Sequence, residues 1–211
     1  MSQGGAARGG SGPQRAKGST ARSTLASLER LVGSAAVEAL LESLPEAVRQ
    51  AVRQVTATED LPYAALVALW EAADGVVRAL PPQDLPWEER AGEEAIRSAG
   101  MQLYGGILRK ATPHAFLTQS VSLFQLFYAP GDMEVVAEDG TRAVLRLVGF
   151  DPQTVRFCGR LTGGLRESIR QAGGQQAQVA HVRCTLAGDA FCEWALQWES
   201  ATDEEALARH A

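Results

Sequence analysis

The stretch HVRCTLAGDAFCEWALQW, from His181 to Trp198, decides how the chain is read. It holds two of the three cysteines, one of the three histidines and two of the four tryptophans. Gln176 to Cys184 and Ala190 to Trp198 are alternating runs separated by Ala187-Gly188-Asp189, the pattern of a β-hairpin. A three-residue loop sets Cys184 opposite Cys192 and Val182 opposite Trp194, so both sulfurs share a face with Trp194, Leu196 and Trp198. A two-residue Gly188-Asp189 loop splits the cysteines between faces, and the apolar pattern favours the longer loop.

Spacing adds a chemical possibility. His181, Cys184 and Cys192 read H-x2-C-x7-C, and Cys158 on the preceding helical stretch completes a Cys3His set of tetrahedral zinc type with no ligand position left open. Strict alternation sends His181 to the face opposite Cys184 unless a bulge re-aims it. Two other accounts stand beside zinc. The cysteines are reduced core thiols near one sheet, or His181 and Cys184 act as base and thiolate nucleophile, a reading without a third orienting group.

On these residues the C-terminal part resembles the 4-vinyl reductase (4VR) domain, a small-molecule-binding module. Its fold is shared with trafficking-complex subunits and related to haem nitric-oxide-binding sensors. From about Leu61 to Trp198 the chain is also similar to a paralogous family of uncharacterised myxobacterial proteins of about this length. The resemblance implies a zinc ion held by Cys158, Cys184 and Cys192, with His181 standing where the family has a carboxylate.

Outside the hairpin, 211 residues that are 45% hydrophobic can bury one sizeable core. No apolar run reaches the roughly eighteen residues of a membrane span. Three cysteines are too few and too odd for a disulfide scaffold, which points to a reducing cytoplasm. The net charge is −5, and Arg8, Arg15, Lys17 and Arg22 precede the first acid, Glu29. Taking those four positive charges from −5 leaves −9 on the rest, a body that repels nucleic acid.

The Gly- and Ser-rich residues 1–23 read as a disordered leader. A helical extension follows over 24–55, with one helix from Thr24 to Leu44 and a short one opened by Pro45. Residues 56–198 form the main domain. Asp60 caps a helix from Leu61 to Leu80, and Trp87 to Arg109 is a long helix whose Gly100, Gly105 and Gly106 permit close packing or a kink. A further helix, HAFLTQSVSLFQLFY, carries His114, Leu117, Val121 and Phe124. Asp139-Gly140 then turns a hairpin between Met133 to Glu138 and Thr141 to Phe150. A helix from Asp151-Pro152 to Gln171 places Cys158 on its inward stripe. Its Gly163-Gly164 pair lacks the strand-glycine-helix context of a phosphate loop. Residues 199–211 are a solvated acidic tail.

The fold class expected is therefore α+β: N-terminal helices, then a four-stranded antiparallel sheet in the order hairpin, helix, hairpin, packed by helices on one face. There are no paired carboxylates at glycosidase-like positions, no Walker or dinucleotide glycine pattern and no HExxH, so no enzyme is expected. What the resemblance implies is a cytoplasmic, non-catalytic binding or sensing module. A small hydrophobic ligand would lie among His114, Leu117, Val121, Phe124 and Trp194, with zinc pinning the last hairpin, and the signal would pass to an unidentified protein partner. A homodimer is expected, with no nucleic-acid or membrane partner. The alternatives are a dimeric interaction scaffold without ligand and a tetrapyrrole vinyl reductase or accessory factor.

Overall fold

The computed structural model describes residues 12–81, 83–100 and 112–199, with backbone alone at 99–100 and 119–123. Its elements run in the order β1 (Arg15–Lys17), α1 (Gly18–Val32), α2 (Ser34–Ser43), α3 (Glu46–Gln54), β2 (Asp60–Pro62), α4 (Tyr63–Val77) and α5 (Trp87–Ala95). A π-helical turn, Ile96–Gly100, extends α5. Then come α6 (Pro113–Gln125), β3 (Tyr128–Ala129), β4 (Asp132–Glu138), β5 (Arg142–Val148), α7 (Val155–Gln171), β6 (Gln175–Arg183) and β7 (Cys192–Glu199).

The class is α+β, with a four-stranded antiparallel sheet in the order β4-β5-β7-β6 packed against helices. Alternation along β5 and β7 turns Ala143, Leu145, Leu147, Cys192, Trp194, Leu196 and Trp198 inward. Helix α7 covers that face, burying Phe157, Cys158, Leu165 and Ile169. Thr154 caps α7, its side chain accepting from the Arg156 amide. The first hairpin turns where Asp-Gly predicts, with the Asp139 amide donating to the Arg142 carbonyl over 3.0 Å. Aromatic rings pack where α4, α6 and α7 meet: Tyr63 lies 4.8 Å from Phe150, and Phe150 stacks on Phe157 at 5.1 Å. The buried indoles keep their N–H groups satisfied, Trp70 by Thr24 at 3.1 Å and Trp194 by Thr162 at 3.0 Å.

Several expectations change at the N-terminal end. Part of the stretch read as a disordered leader is the central strand β1 of a second, three-stranded sheet, β2-β1-β3. Asp60 caps nothing: it belongs to β2, and its carboxylate takes Arg15 at 2.8 Å and Lys17 at 2.6 Å, so the helix begins at Tyr63. The single helix from Thr24 to Leu44 is two, broken at Gly33, whose φ of +82° no other residue adopts without strain. Glu199, read as the start of the acidic tail, ends β7; the rest of that tail, the first eleven residues and the segment with Gly105 and Gly106 lie outside the described residues.

Candidate thiol cluster and interhelical cavity

At the tip of the last hairpin, the three-residue loop of the sequence reading is replaced by a longer one. Cys184 and Cys192 are bridged by a 3-10 turn, Thr185–Ala187, and the Asp189 carboxylate accepts from the Cys184 amide at 2.8 Å. Trp194 therefore faces His181, not Val182, and the ladder slips between His181 and Arg183. That slip removes the parity objection to His181, because the extra residue, Val182, turns the ring back toward the sulfurs. The imidazole stacks on Trp194 at 4.5 Å and 18°.

Cys158 enters from α7. The ligand atoms of Cys158, His181, Cys184 and Cys192 all lie within 4.8 Å of one another. All three cysteines are free, with Cys158 and Cys192 buried and Cys184 half-buried. The Thr185 amide donates to the Cys192 sulfur over 3.4 Å. A hydrogen bond from the Cys158 thiol draws Cys192 well below the usual thiol range, and the same contact, together with burial, pushes Cys158 up. The two thiols thus titrate as a pair rather than singly. Nε2 of His181 is buried without a hydrogen-bond partner. Chemically this is a closed set of three sulfurs and one nitrogen facing a common point.

The second feature is a cavity of about 110 Å³ walled by α1, α5, α6, α7 and the start of the sheet. Its surface is mostly apolar, with Phe116, Phe124, Met133 and Leu165 among the lining residues. Polar groups enter from two sides, Ser19 and Thr20 on α1 and Arg160 on α7. A wider groove on the open face of the sheet is edged by Glu138, Arg142, Gln178 and Gln197.

The residues read from sequence as a pocket are distributed among several places. Phe124 lines the cavity. Leu117 is buried in the core without lining it, and the side chain of Val121 is outside the described residues. His114 is exposed at the start of α6, its Nδ1 2.6 Å from Glu138. Trp194 lies in the core layer beside the thiols. Nothing in the sequence marks Ser19 or Arg160: the first sits in a stretch whose composition reads as leader, and the second carries no feature that separates it from the other arginines of the same helix.

No family model and no curated protein matches the chain. Solved structures do. An Fe(II) unliganded H-NOX protein from K. algicida superposes with a TM-score of 0.65 at 10% identity, over 88% of this chain and 97% of its own. An H-NOX protein from S. oneidensis in the Fe(II)NO ligation state gives 0.66 at 14% identity, over 87% and 99%. A protein studied for modulation of haem redox potential through porphyrin distortion gives 0.62 at 12%, over 88% and 96%. The chain shares the fold of these proteins. Zinc as the cofactor is corrected by this comparison, because the metal stated for proteins of this fold is the iron of haem. Among the described residues no helix is long and apolar enough to cross a membrane.

Proposed function

We propose that the chain is a non-catalytic small-molecule-binding or sensing module of the 4VR class, acting in the cytoplasm as a homodimer that signals to a partner protein. The observation that carries this reading is the mostly apolar cavity between the helices and the sheet, with a few polar groups converging on it. The H-NOX fold adds support, since the S. oneidensis protein named above is in an Fe(II)NO ligation state on the same scaffold.

Haem itself does not fit the described cavity. Its volume is about 110 Å³, whereas drug-sized ligands occupy roughly 300 to 1,000 Å³. Neither described histidine lines it: His114 pairs with Glu138 at the surface, and His181 lies in the thiol cluster. Tyr128 and Met133 on its wall are of axial-ligand type, but the volume decides against a macrocycle. A ligand of benzene size is the better match, as a dry cavity of about 150 Å³ holds benzene.

Cys158, His181, Cys184 and Cys192 are proposed as one metal-ligand group, closed to substrate, that ties α7 to the tip of the last hairpin. The orphaned Nε2 of His181 and the convergence of the sulfurs support it. Native mass spectrometry with elemental analysis of the full chain tests the whole reading. One metal ion and one benzyl alcohol bound per chain, in a dimer, are expected. A metal-free dimer that takes up no benzyl alcohol would instead mark an interaction scaffold.

A further inference from the structure

We infer that the interhelical cavity is built for a small carboxylic acid, its carboxylate held by Arg160 and Ser19 and its apolar body against Phe116, Phe124 and Leu165; this rests on the cavity reading above. Arg160 is 4% exposed and lines the cavity. A buried guanidinium is ordinarily paired, because desolvating the charge without compensation is costly. Its neighbours on α7 obey that rule. Arg156 meets Asp74 and Glu88, and Arg166 meets Glu89 and Glu93. No described carboxylate forms an ion pair with Arg160, and its Nη1 has no hydrogen-bond partner. It has the Trp70 ring, 5.2 Å from Cζ, and the Tyr128 hydroxyl; the charge of Glu88 also acts on it, but that carboxylate is paired with Arg156.

A second orphan sits on the same wall. Ser19 is 3% exposed and lines the cavity, and its Oγ is buried without a partner. Ser23 and Thr24 on that helix return their hydroxyl protons to the Thr20 carbonyl, at 3.0 and 2.8 Å. Two unsatisfied donors from α1 and α7 therefore face one apolar space, which is the complement of an anion with two acceptor oxygens and a greasy remainder. The volume of about 110 Å³ limits the body to something near a phenyl ring or a short alkyl chain.

Calorimetric titration of the full chain with benzoate and with benzyl alcohol, a neutral counterpart of similar size, tests this. Benzoate is expected to bind at least about tenfold tighter. Arg160→Gln should erase that preference while benzyl alcohol still binds, and Ser19→Ala should lower benzoate affinity several-fold with benzyl alcohol unchanged. Equal affinities for the two probes, or a benzoate preference that survives Arg160→Gln, overturns the carboxylate assignment and leaves the cavity reading standing. Failure of both probes to bind overturns both. If Arg160→Gln does not fold, Ser19→Ala decides, and an unchanged benzoate affinity in it counts against the proposal.

Discussion

Glu167 has 5% of its side chain exposed, and Arg97 donates to its two oxygens at 3.3 and 3.2 Å while Gln171 adds a third bond at 2.8 Å. Burial pushes its carboxyl up. The bonds from Arg97 and Gln171, with the charges of Arg97 and Arg170, outweigh that and hold it below the usual range. A pKa depressed by folding contributes stability above the unfolded value of about 4.3, and that contribution is lost as pH falls through the folded value. Glu167→Gln should therefore lower Tm at pH 7 and give a shallower acid limb than the parent below about pH 4.3. Thermal melts across that range check it, and parallel limbs would show that the carboxylate is not linked to folding. At this scale the sequence was readable where a residue type carries its own chemistry, as the cysteines do. It was not readable where location decides: nothing marks Arg160 as buried among Arg156, Arg166 and Arg170, which find acids.

Helices α5 and α7 approach so closely that their backbones touch. A Cβ at Gly163 would lie 1.9 Å from the Glu89 carbonyl oxygen, and one at Gly92 would lie 2.0 Å from that of Arg160. Alanine at 163 gains about 1 kcal/mol of helix propensity. The clash is with backbone, which no rotamer relieves, so the crossing must open and the overpacking cost of about 1 to 3 kcal/mol prevails. Gly163→Ala should therefore lower the denaturation midpoint without changing the slope, as equilibrium urea unfolding would record. An unchanged or raised midpoint would mean that the helices slide apart freely. Glycine inside a helix reads in sequence as an interruption, because the partner that requires it is distant along the chain. The Asp139-Gly140 hairpin was legible for the opposite reason, since its turn chemistry is local. The last hairpin lies between these cases: its strands alternate visibly, but the slip at Val182 depends on how the loop folds around Asp189.

On the scale of the whole molecule, the short strand Arg15–Lys17 joins parts that are far apart in sequence. It pairs with Asp60–Pro62 on one side and Tyr128–Ala129 on the other. The Lys17 amide donates to the Phe127 carbonyl at 2.8 Å, the Gly18 amide to Glu59 at 2.8 Å, and the Tyr63 amide to Gln14 at 3.0 Å. Three residues are too few to show a period, and their Gly- and Ser-rich surroundings resemble a solvated tail, so the sequence offered no sign of this strand. It leads directly into Ser19 and Thr20 and holds Tyr128 opposite them, so it fixes two walls of the cavity. A chain shortened to begin at Gly18 loses several of these bonds, each contributing about 0.5 to 1.5 kcal/mol. The expected result is a stability loss of order 2 to 4 kcal/mol together with weaker benzyl alcohol binding, read by thermal unfolding and calorimetry on the same sample. Full stability in the shortened chain would show that α1 is seated by its own packing on α4 and α5. Intact stability with lost binding is excluded on this account, because the strand shapes the cavity only by holding the fold together around it.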